Sequence, residues 1–175
     1  RILRRIAIAC ALQRRQRDPL RPRRPIRLRR ERFHRVSHRR VHPPGTDWLL
    51  RKIHPPGNDR PIHSLVDYDD GLLINADTRS FLEWYIFFYG AFRPEVSKLL
   101  NRMLRPGHVA FDIGANIGMH TIVMANRVGP TGKVVCFEPD PHPFGRLKRN
   151  LALNGFDFVE CHQAALSAKT ETRRF

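Results

Sequence analysis

The sequence predicts an α/β fold whose parallel sheet lies in the C-terminal part of the chain. From residue 108 onwards, short apolar segments rich in Val, Ile and Phe alternate with longer segments whose apolar residues recur at helical spacing. Glycine and proline residues separate these segments. Strands that alternate with helices of this length pair in parallel through right-handed crossovers. We therefore expect a β-α-β-α-β order over residues 108–175.

Periodicity and turn residues set the limits of these five elements. They are a strand over residues 108–114, a helix over 116–128, a strand over 133–139, a helix over 141–155 and a strand over 158–166. Gly129 and Pro130 end the first helix, and Asn154 and Gly155 end the second.

Residues 62–107 are predicted to form a hairpin and helical lead-in to the sheet. Residues 63–77 favour a β-hairpin, with Gly71 at positive φ in the turn. Aromatic residues at helical spacing follow, namely Phe81, Trp84, Tyr85 and Phe88. This spacing indicates a helix whose aromatic side chains pack in a core and do not form a ligand cage. Pro94 is typical of the first turn of a further helix, which ends before Gly107.

Residues 1–61 are predicted to form a disordered Arg- and Pro-rich tail and linker. Residues 1–40 contain sixteen arginines and two acidic residues, and so carry 14 of the 16 net positive charges of the chain. Such a segment binds phosphate polymers through counterion release, so a basic nucleic-acid-binding protein acting through residues 1–40 is an alternative. We favour an extension without that role, because Phe33 is its one aromatic residue for base stacking. The first methionine is Met103, which leaves open whether residues 1–61 are native coding sequence.

The cysteines and apolar segments limit the classes of protein to which the chain can belong. The three cysteines lack metal-ligand spacing, and their odd number argues against a disulfide framework. Cys136 and Cys161 lie in apolar segments, where buried reduced thiols are expected, and reduced thiols favour a cytoplasmic location. No apolar run approaches the ~18 residues of a membrane span. The sequence therefore predicts neither a metal site nor a transmembrane segment.

A glycine-rich loop over residues 112–118 carries the chemistry that the sequence offers. It follows the first strand and opens the first helix, which is where open α/β sheets bind ligands. A ligand close to the backbone requires residues that have no bulk or that tolerate positive φ. Gly114 and Gly118 meet the first need, and Asn116 meets the second.

Glu138 ends the second strand, 26 residues after Asp112. A carboxylate there can accept both hydrogen bonds from a ribose diol. A dinucleotide would favour the pattern G-x-G-x-x-G, and Asp112 would repel its pyrophosphate. Asp112 could instead hold the cationic amino end of S-adenosylmethionine. An NAD-dependent oxidoreductase is the alternative enzyme, because it shares the βαβ unit and the ribose carboxylate.

Two segments of the chain carry a family resemblance, namely VAFDIGANIGMHTIVMANRVGPTGKVVCFEPDPHPFGRLKRNLALNG and the upstream INADTRSFLEWYIFFYGAFRPEVSKLL. Over about residues 65–170 the chain resembles the FkbM-type S-adenosylmethionine-dependent methyltransferases. It implies a Rossmann-like class I methyltransferase sheet with S-adenosylmethionine as methyl donor. It also implies O-methylation of a hydroxyl group on a sugar, lipid or secondary metabolite.

The resemblance further implies a role for each candidate site residue. Residues that would line the methionine side of the cofactor are Asp112, Gly114, Ala115, Asn116 and Gly118. Glu138 would bind the ribose, Pro139 and Asp140 would flank the adenine, and Ala164 and Ala165 would cover it. We expect an N-terminal fragment whose sheet is truncated after about three parallel strands, because the family continues with a fourth strand. The catalytic residues, the acceptor and the oligomeric state stay unknown, and we expect the chain alone to be poorly soluble and inactive.

Overall fold

The computed structural model describes residues 44–69 and 71–169. The described residues divide into two compact units, one containing residues 44–69, 71 and 75–92 and the other containing residues 72–74 and 93–169. The Arg-rich segment predicted as a disordered tail, residues 1–40, lies outside the described residues. The domain boundaries at residues 61 and 107 stay predictions.

The first unit contains helix α1 (Thr46–Ile53), which lies in the range predicted as a linker. The structure differs from the prediction here. Leu50 is buried at 1% exposure, whereas Trp48 and Ile53 are exposed. The helix was not predicted because it has eight residues and lies between two Pro-Pro-Gly sequences, which are typical of turns in a linker.

A hairpin and a helix complete this part of the fold, as predicted. Strands β1 (His63–Tyr68) and β2 (Leu72–Asp77) form a two-stranded sheet, and Gly71 between them has φ +93°. Helix α2 (Phe81–Tyr89) follows. Its residues Trp84 and Phe88 are buried, which agrees with a packing role for the aromatic residues, although Phe81 is 50% exposed.

The second unit holds the parallel sheet. Its elements are helix α3 (Pro94–Met103), strand β3 (Val109–Ile113), helix α4 (Met119–Val128), strand β4 (Lys133–Phe137), helix α5 (Pro141–Leu153) and strand β5 (Glu160–His162). The strands lie in the order β3-β4-β5, and both neighbouring pairs are parallel. This arrangement confirms the Rossmann-like α/β fold, with three parallel strands among the described residues.

All five elements predicted from residue 108 onwards are shorter in the structure, and two of them differ most from their predicted bounds. The helix expected from residue 116 begins at Met119, because Asn116 and Gly118 both have positive φ and cannot continue an α-helix. The strand expected over residues 158–166 is confined to Glu160–His162.

One face of the sheet packs against helix α4. Ala110 of β3 and Val134 of β4 join Ala125 and Val128 of that helix in one buried cluster. Gly132 in the preceding turn has no room for a side chain, because a Cβ atom there would lie 2.6 Å from the His108 carbonyl oxygen. The parallel register pairs Ile113 with Phe137, so the carboxyl ends of β3 and β4 lie side by side.

Strand β3 lies at the edge of the described sheet, and alternate side chains of it are open to solvent. Val109, Phe111 and Ile113 are 59%, 60% and 65% exposed. Among the described residues β3 pairs with β4 on one side only. An exposed, apolar edge strand is a template for pairing with another chain.

Among these described residues, no helix combines the length and the apolar character that crossing a bilayer requires.

We predict that Phe111→Lys reduces self-association of the 175-residue chain, because a charge on an edge strand discourages pairing between chains. Size-exclusion chromatography with light scattering over a concentration series measures the effect. Leu99→Lys is the matched control, since Leu99 is similarly exposed, at 54%, but lies on helix α3. A wild-type chain that is monomeric at every concentration would contradict the prediction.

Candidate functional site

The loop between β3 and α4 has the backbone conformation that its composition predicted. Gly114, Asn116 and Gly118 have φ of +80°, +51° and +88°. The expectation that Asn116 adopts a left-handed conformation is confirmed. Its side-chain Oδ1 accepts a hydrogen bond of 2.7 Å from the Ile117 N–H, which helps to hold a non-glycine residue in this region of φ.

The loop is closed across the ends of β3 and β4 by backbone hydrogen bonds. The N–H groups of Gly114 and Ala115 both donate to the carbonyl oxygen of Phe137 at 2.9 Å. The Gly118 N–H donates to the Ala115 carbonyl at 2.8 Å. The loop is thus a tight turn fixed to the neighbouring strand.

Glu138 binds the loop from the end of β4. Its Oε2 accepts the Asn116 N–H at 2.8 Å, and its Oε1 accepts the Asp140 N–H at 3.0 Å. The Glu138 N–H itself donates to the His162 carbonyl at 3.1 Å. The residue is 8% exposed. An ionised carboxylate has about four acceptor positions, so these two backbone bonds leave capacity for a ligand hydroxyl.

Asp112 lies at the end of β3, 8% exposed. Its Oδ2 accepts a hydrogen bond from the Thr121 hydroxyl. A helix cap would accept from a backbone N–H, whereas the donor to Asp112 is a side chain. Thr121 is fully buried, and sequence analysis missed it because a threonine inside a helix carries no distinctive pattern.

His120 follows the loop on helix α4 and is half-buried. Burial lowers its pKa, the Arg93 charge acts in the same direction, and the Asp112 charge opposes them. The Nδ1 atom is buried without a hydrogen-bond partner in the described part of the chain.

Helix α5 packs against the loop and holds it in place. The side-chain amide of Asn150, 1% exposed, donates to the Ile117 carbonyl at 2.8 Å. Gly118 packs so closely on the same helix that an added Cβ would lie 2.5 Å from Leu147 Cδ1. Asn150 was also missed in the sequence, because its partner is 33 residues away along the chain.

The remaining predicted residues lie further along the chain from the loop. Asp140 caps helix α5, where its Oδ1 accepts the His142 N–H at 2.9 Å. Pro139 before it is half-buried. Ala164 and Ala165 are exposed and follow β5 without regular structure. The hydrogen bond from the Asp140 N–H to Glu138 therefore connects Asp140 to the site. Among the described residues, the structure shows no hydrogen bond between the site and Ala164 or Ala165.

No group of three or more His, Cys, Asp or Glu side chains in residues 44–69 and 71–169 is arranged to hold a metal ion.

Sequence comparison finds similarity to methyltransferases over parts of this chain. No family model matches it. It is 51% identical over 47 residues to 31-O-demethyl-FK506 methyltransferase FkbM of Streptomyces tacrolimicus, covering 27% of this chain and 18% of the relative. It is 33% identical over 66 residues to protein-L-isoaspartate O-methyltransferase of Methanopyrus kandleri, covering 37% of this chain and 29% of the relative. The matches thus span less than a third of the length of these relatives.

Two solved structures are similar to part of this chain. A SAM-dependent O-methyltransferase from Thermotoga maritima is 26% identical, with a TM-score of 0.39 and coverage of 42% of this chain and 29% of that one. TYW2 of P. horikoshii, solved in complex with MeSAdo, is 21% identical, with a TM-score of 0.47. The similarity covers 63% of this chain and 38% of that one.

We predict that Gly118→Ala destabilises the fold more than Gly114→Ala. Both residues have positive φ, which costs a side chain about 1–2 kcal/mol. A Cβ on Gly114 meets nothing within 4 Å, whereas a Cβ on Gly118 collides with the buried Leu147. The collision adds about 1–3 kcal/mol of overpacking. Urea denaturation of the two variants measures the difference, and equal losses of stability would contradict this account of Gly118.

Proposed function

We propose that this chain contains the cofactor-binding part of an S-adenosylmethionine-dependent methyltransferase. The observation that carries the proposal is the Glu138 carboxylate, held at the end of β4 by the N–H groups of Asn116 and Asp140. It lies beside a loop with three residues at positive φ, at the carboxyl end of a parallel sheet. Ligands of open α/β sheets bind at this end.

The described residues fit such a cofactor. Gly114 has open space where a side chain would be, so a ligand can approach its backbone. Glu138 keeps acceptor positions for the two hydroxyl groups of a ribose. Asp112 supplies negative charge next to the loop, which suits a cationic cofactor and disfavours the pyrophosphate of a dinucleotide.

We assign each predicted residue a role under this proposal. Asp112 would hold the amino group of the cofactor, and the loop from Gly114 to Gly118 (with Ala115 and Asn116) would contact its methionine part. Glu138 would bind the ribose. Residues that would contact the adenine are Pro139, Asp140, Ala164 and Ala165.

The bound cofactor would supply an electrophilic methyl group for transfer to a nucleophilic acceptor. The residues described here bind and orient, which is a main contribution of an enzyme to such a transfer. We assign no catalytic base among the described residues.

The finer assignment is FkbM-type O-methylation of a hydroxyl group on a sugar, lipid or secondary metabolite. Its support is the 47-residue match, which is 51% identical to a protein named for O-methylation of a small molecule. The residues of that match cover 18% of the relative, so the acceptor is part of the proposal. We also propose a cytoplasmic location, on the basis of the two free thiols Cys136 and Cys161.

We predict that Glu138→Gln weakens binding of S-adenosylhomocysteine by about ten- to a hundredfold. The amide replaces a charged acceptor with a neutral group, and hydrogen bonds to a charged group contribute about 1.5–3 kcal/mol each. Isothermal titration calorimetry of the chain measures the affinity. The matched control is Glu160→Gln, because Glu160 is an exposed glutamate that pairs with Lys133 on the surface.

Two results would contradict the proposed function. One is an unchanged affinity in Glu138→Gln, with thermal unfolding showing that the variant is folded. The other is binding of NAD in preference to S-adenosylhomocysteine, which would favour an NAD-dependent oxidoreductase instead.

We predict that Thr121→Val weakens S-adenosylhomocysteine binding more than Thr121→Ser. Valine has nearly the shape of threonine but removes the hydroxyl group that donates to Asp112, whereas serine keeps it. Without this donor the buried carboxylate loses a hydrogen bond that fixes its orientation. Affinity measured by calorimetry and stability measured by thermal unfolding separate the two effects. Equal affinities for the two variants would show that Thr121 does not position Asp112 for the ligand.

A further inference from the structure

Two cysteines face each other across neighbouring strands of the parallel sheet. Cys136 of β4 and Cys161 of β5 are direct partners in the strand register. Their sulfur atoms are 3.3 Å apart, and the Cys136 thiol donates a hydrogen bond to Cys161 Sγ. Both are free thiols.

The backbone already has the geometry that a disulfide requires. Neighbouring strands lie about 4.8 Å apart, and disulfides join residues whose Cα atoms are about 4.4–6.8 Å apart. The two side chains are on the same face of the sheet, because directly paired residues of parallel strands point the same way. A bond of about 2.0 Å therefore needs rotation of two side chains and no rearrangement of the strands.

The environments of the two thiols differ in a way that assigns each a role. Cys136 is completely buried, and both its hydrogen bond to Cys161 and its burial raise its pKa. Cys161 is partly exposed. The hydrogen bond from Cys136 lowers the pKa of Cys161, burial opposes this, and the charge of Lys148 lowers the pKa further. Cys161 is thus the more accessible and more acidic thiol, and Cys136 is the neighbouring thiol that can resolve its oxidised form.

We propose that Cys136 and Cys161 form an oxidative modification site at which a peroxide converts the pair into an intrachain disulfide. The Cys161 thiolate attacks one oxygen of the peroxide, the O–O bond breaks, and Cys161 becomes a sulfenic acid while the other oxygen leaves as water after protonation. The Cys136 sulfur then attacks the Cys161 sulfur and displaces the second oxygen as water. Two thiols and one hydrogen peroxide give one disulfide and two waters.

The cross-link would fix the strand ends that carry Glu138. Cys136 lies two residues before Glu138 in the chain, and Cys161 is next to His162, whose carbonyl accepts the Glu138 N–H at 3.1 Å. The disulfide itself does not depend on the proposed function, since it needs only the two thiols and the oxidant.

The test treats the full chain with hydrogen peroxide and maps its peptides by mass spectrometry without reduction. We expect one cross-linked peptide pair, joining Cys136 to Cys161 and lighter by two hydrogen atoms, which reductant restores. Cys10→Ser is the matched control and should keep the cross-link, because Cys10 is the third cysteine of the chain. A product that joins Cys10 to either residue in place of this pair would overturn the proposal.

Two single variants test the assigned roles. Cys136→Ser should accumulate a Cys161 sulfenic acid that dimedone labels, because its resolving thiol is gone. Cys161→Ser should slow oxidation of Cys136 about tenfold or more, because a buried thiol of raised pKa is a poor nucleophile. Circular dichroism shows that each variant is folded. Equal oxidation rates of Cys136 with and without Cys161 would overturn the assignment of roles.

Phenylarsine oxide tests the adjacency of the thiols without any oxidation. This trivalent arsenical bridges two close thiols, so it should protect wild-type Cys136 and Cys161 from alkylation and protect neither single variant. Alkylation of the treated wild-type chain at the untreated rate would show that the sulfur atoms are not adjacent, and would overturn the proposal.

Discussion

The candidate site depends on one carboxylate. Glu138 accepts hydrogen bonds from the backbone of the glycine-rich loop, through Asn116, and from the start of the next helix, through Asp140. One buried anion therefore satisfies two N–H groups that a tight loop and a strand end would otherwise leave unpaired. Charge-assisted hydrogen bonds of this kind are shorter and stronger than neutral ones. The same group that organises the loop is the group proposed to bind a ribose.

A second set of contacts holds the loop on helix α5. The Asn150 amide donates to the loop carbonyl of Ile117, and Gly118 lies in van der Waals contact range of Leu147. The loop is thus fixed on one side by an anion and on the other by a helix, and neither contact involves a flexible surface side chain. A ligand that binds here meets a backbone whose conformation is already set, which reduces the entropy lost on binding.

The two faces of the sheet are covered to different extents. The face covered by helix α4 is closed by small and branched residues such as Ala110 and Val134, while Phe111 on the opposite face is 60% exposed. A parallel strand in an α/β protein is ordinarily covered on both faces. The described part of the chain thus supplies one complete layer around the loop and leaves the second face of β3 open.

Local sequence determined the succession of strands and helices, the hairpin turn at Gly71 and the positive φ of Asn116, because periodicity and turn chemistry act over a few neighbouring residues. Helix α1 was not predicted, since its eight residues lie between two Pro-Pro-Gly sequences that are typical of a linker. The predicted start of helix α4, at residue 116, was too early. The apolar period continues into residues whose loop conformation excludes them from the helix, which begins at Met119.

Sequence alone also determined that an acidic residue would follow the second strand and that small residues would follow the first. The tertiary structure decided what those residues bind: Glu138 accepts hydrogen bonds from the loop backbone, Asp112 accepts a hydrogen bond from the Thr121 hydroxyl, and Asn150 holds the loop on helix α5. It also brought Cys136 and Cys161 to 3.3 Å. These pairs are distant in the chain, and only strand register and helix packing, which depend on the whole fold, bring them into contact.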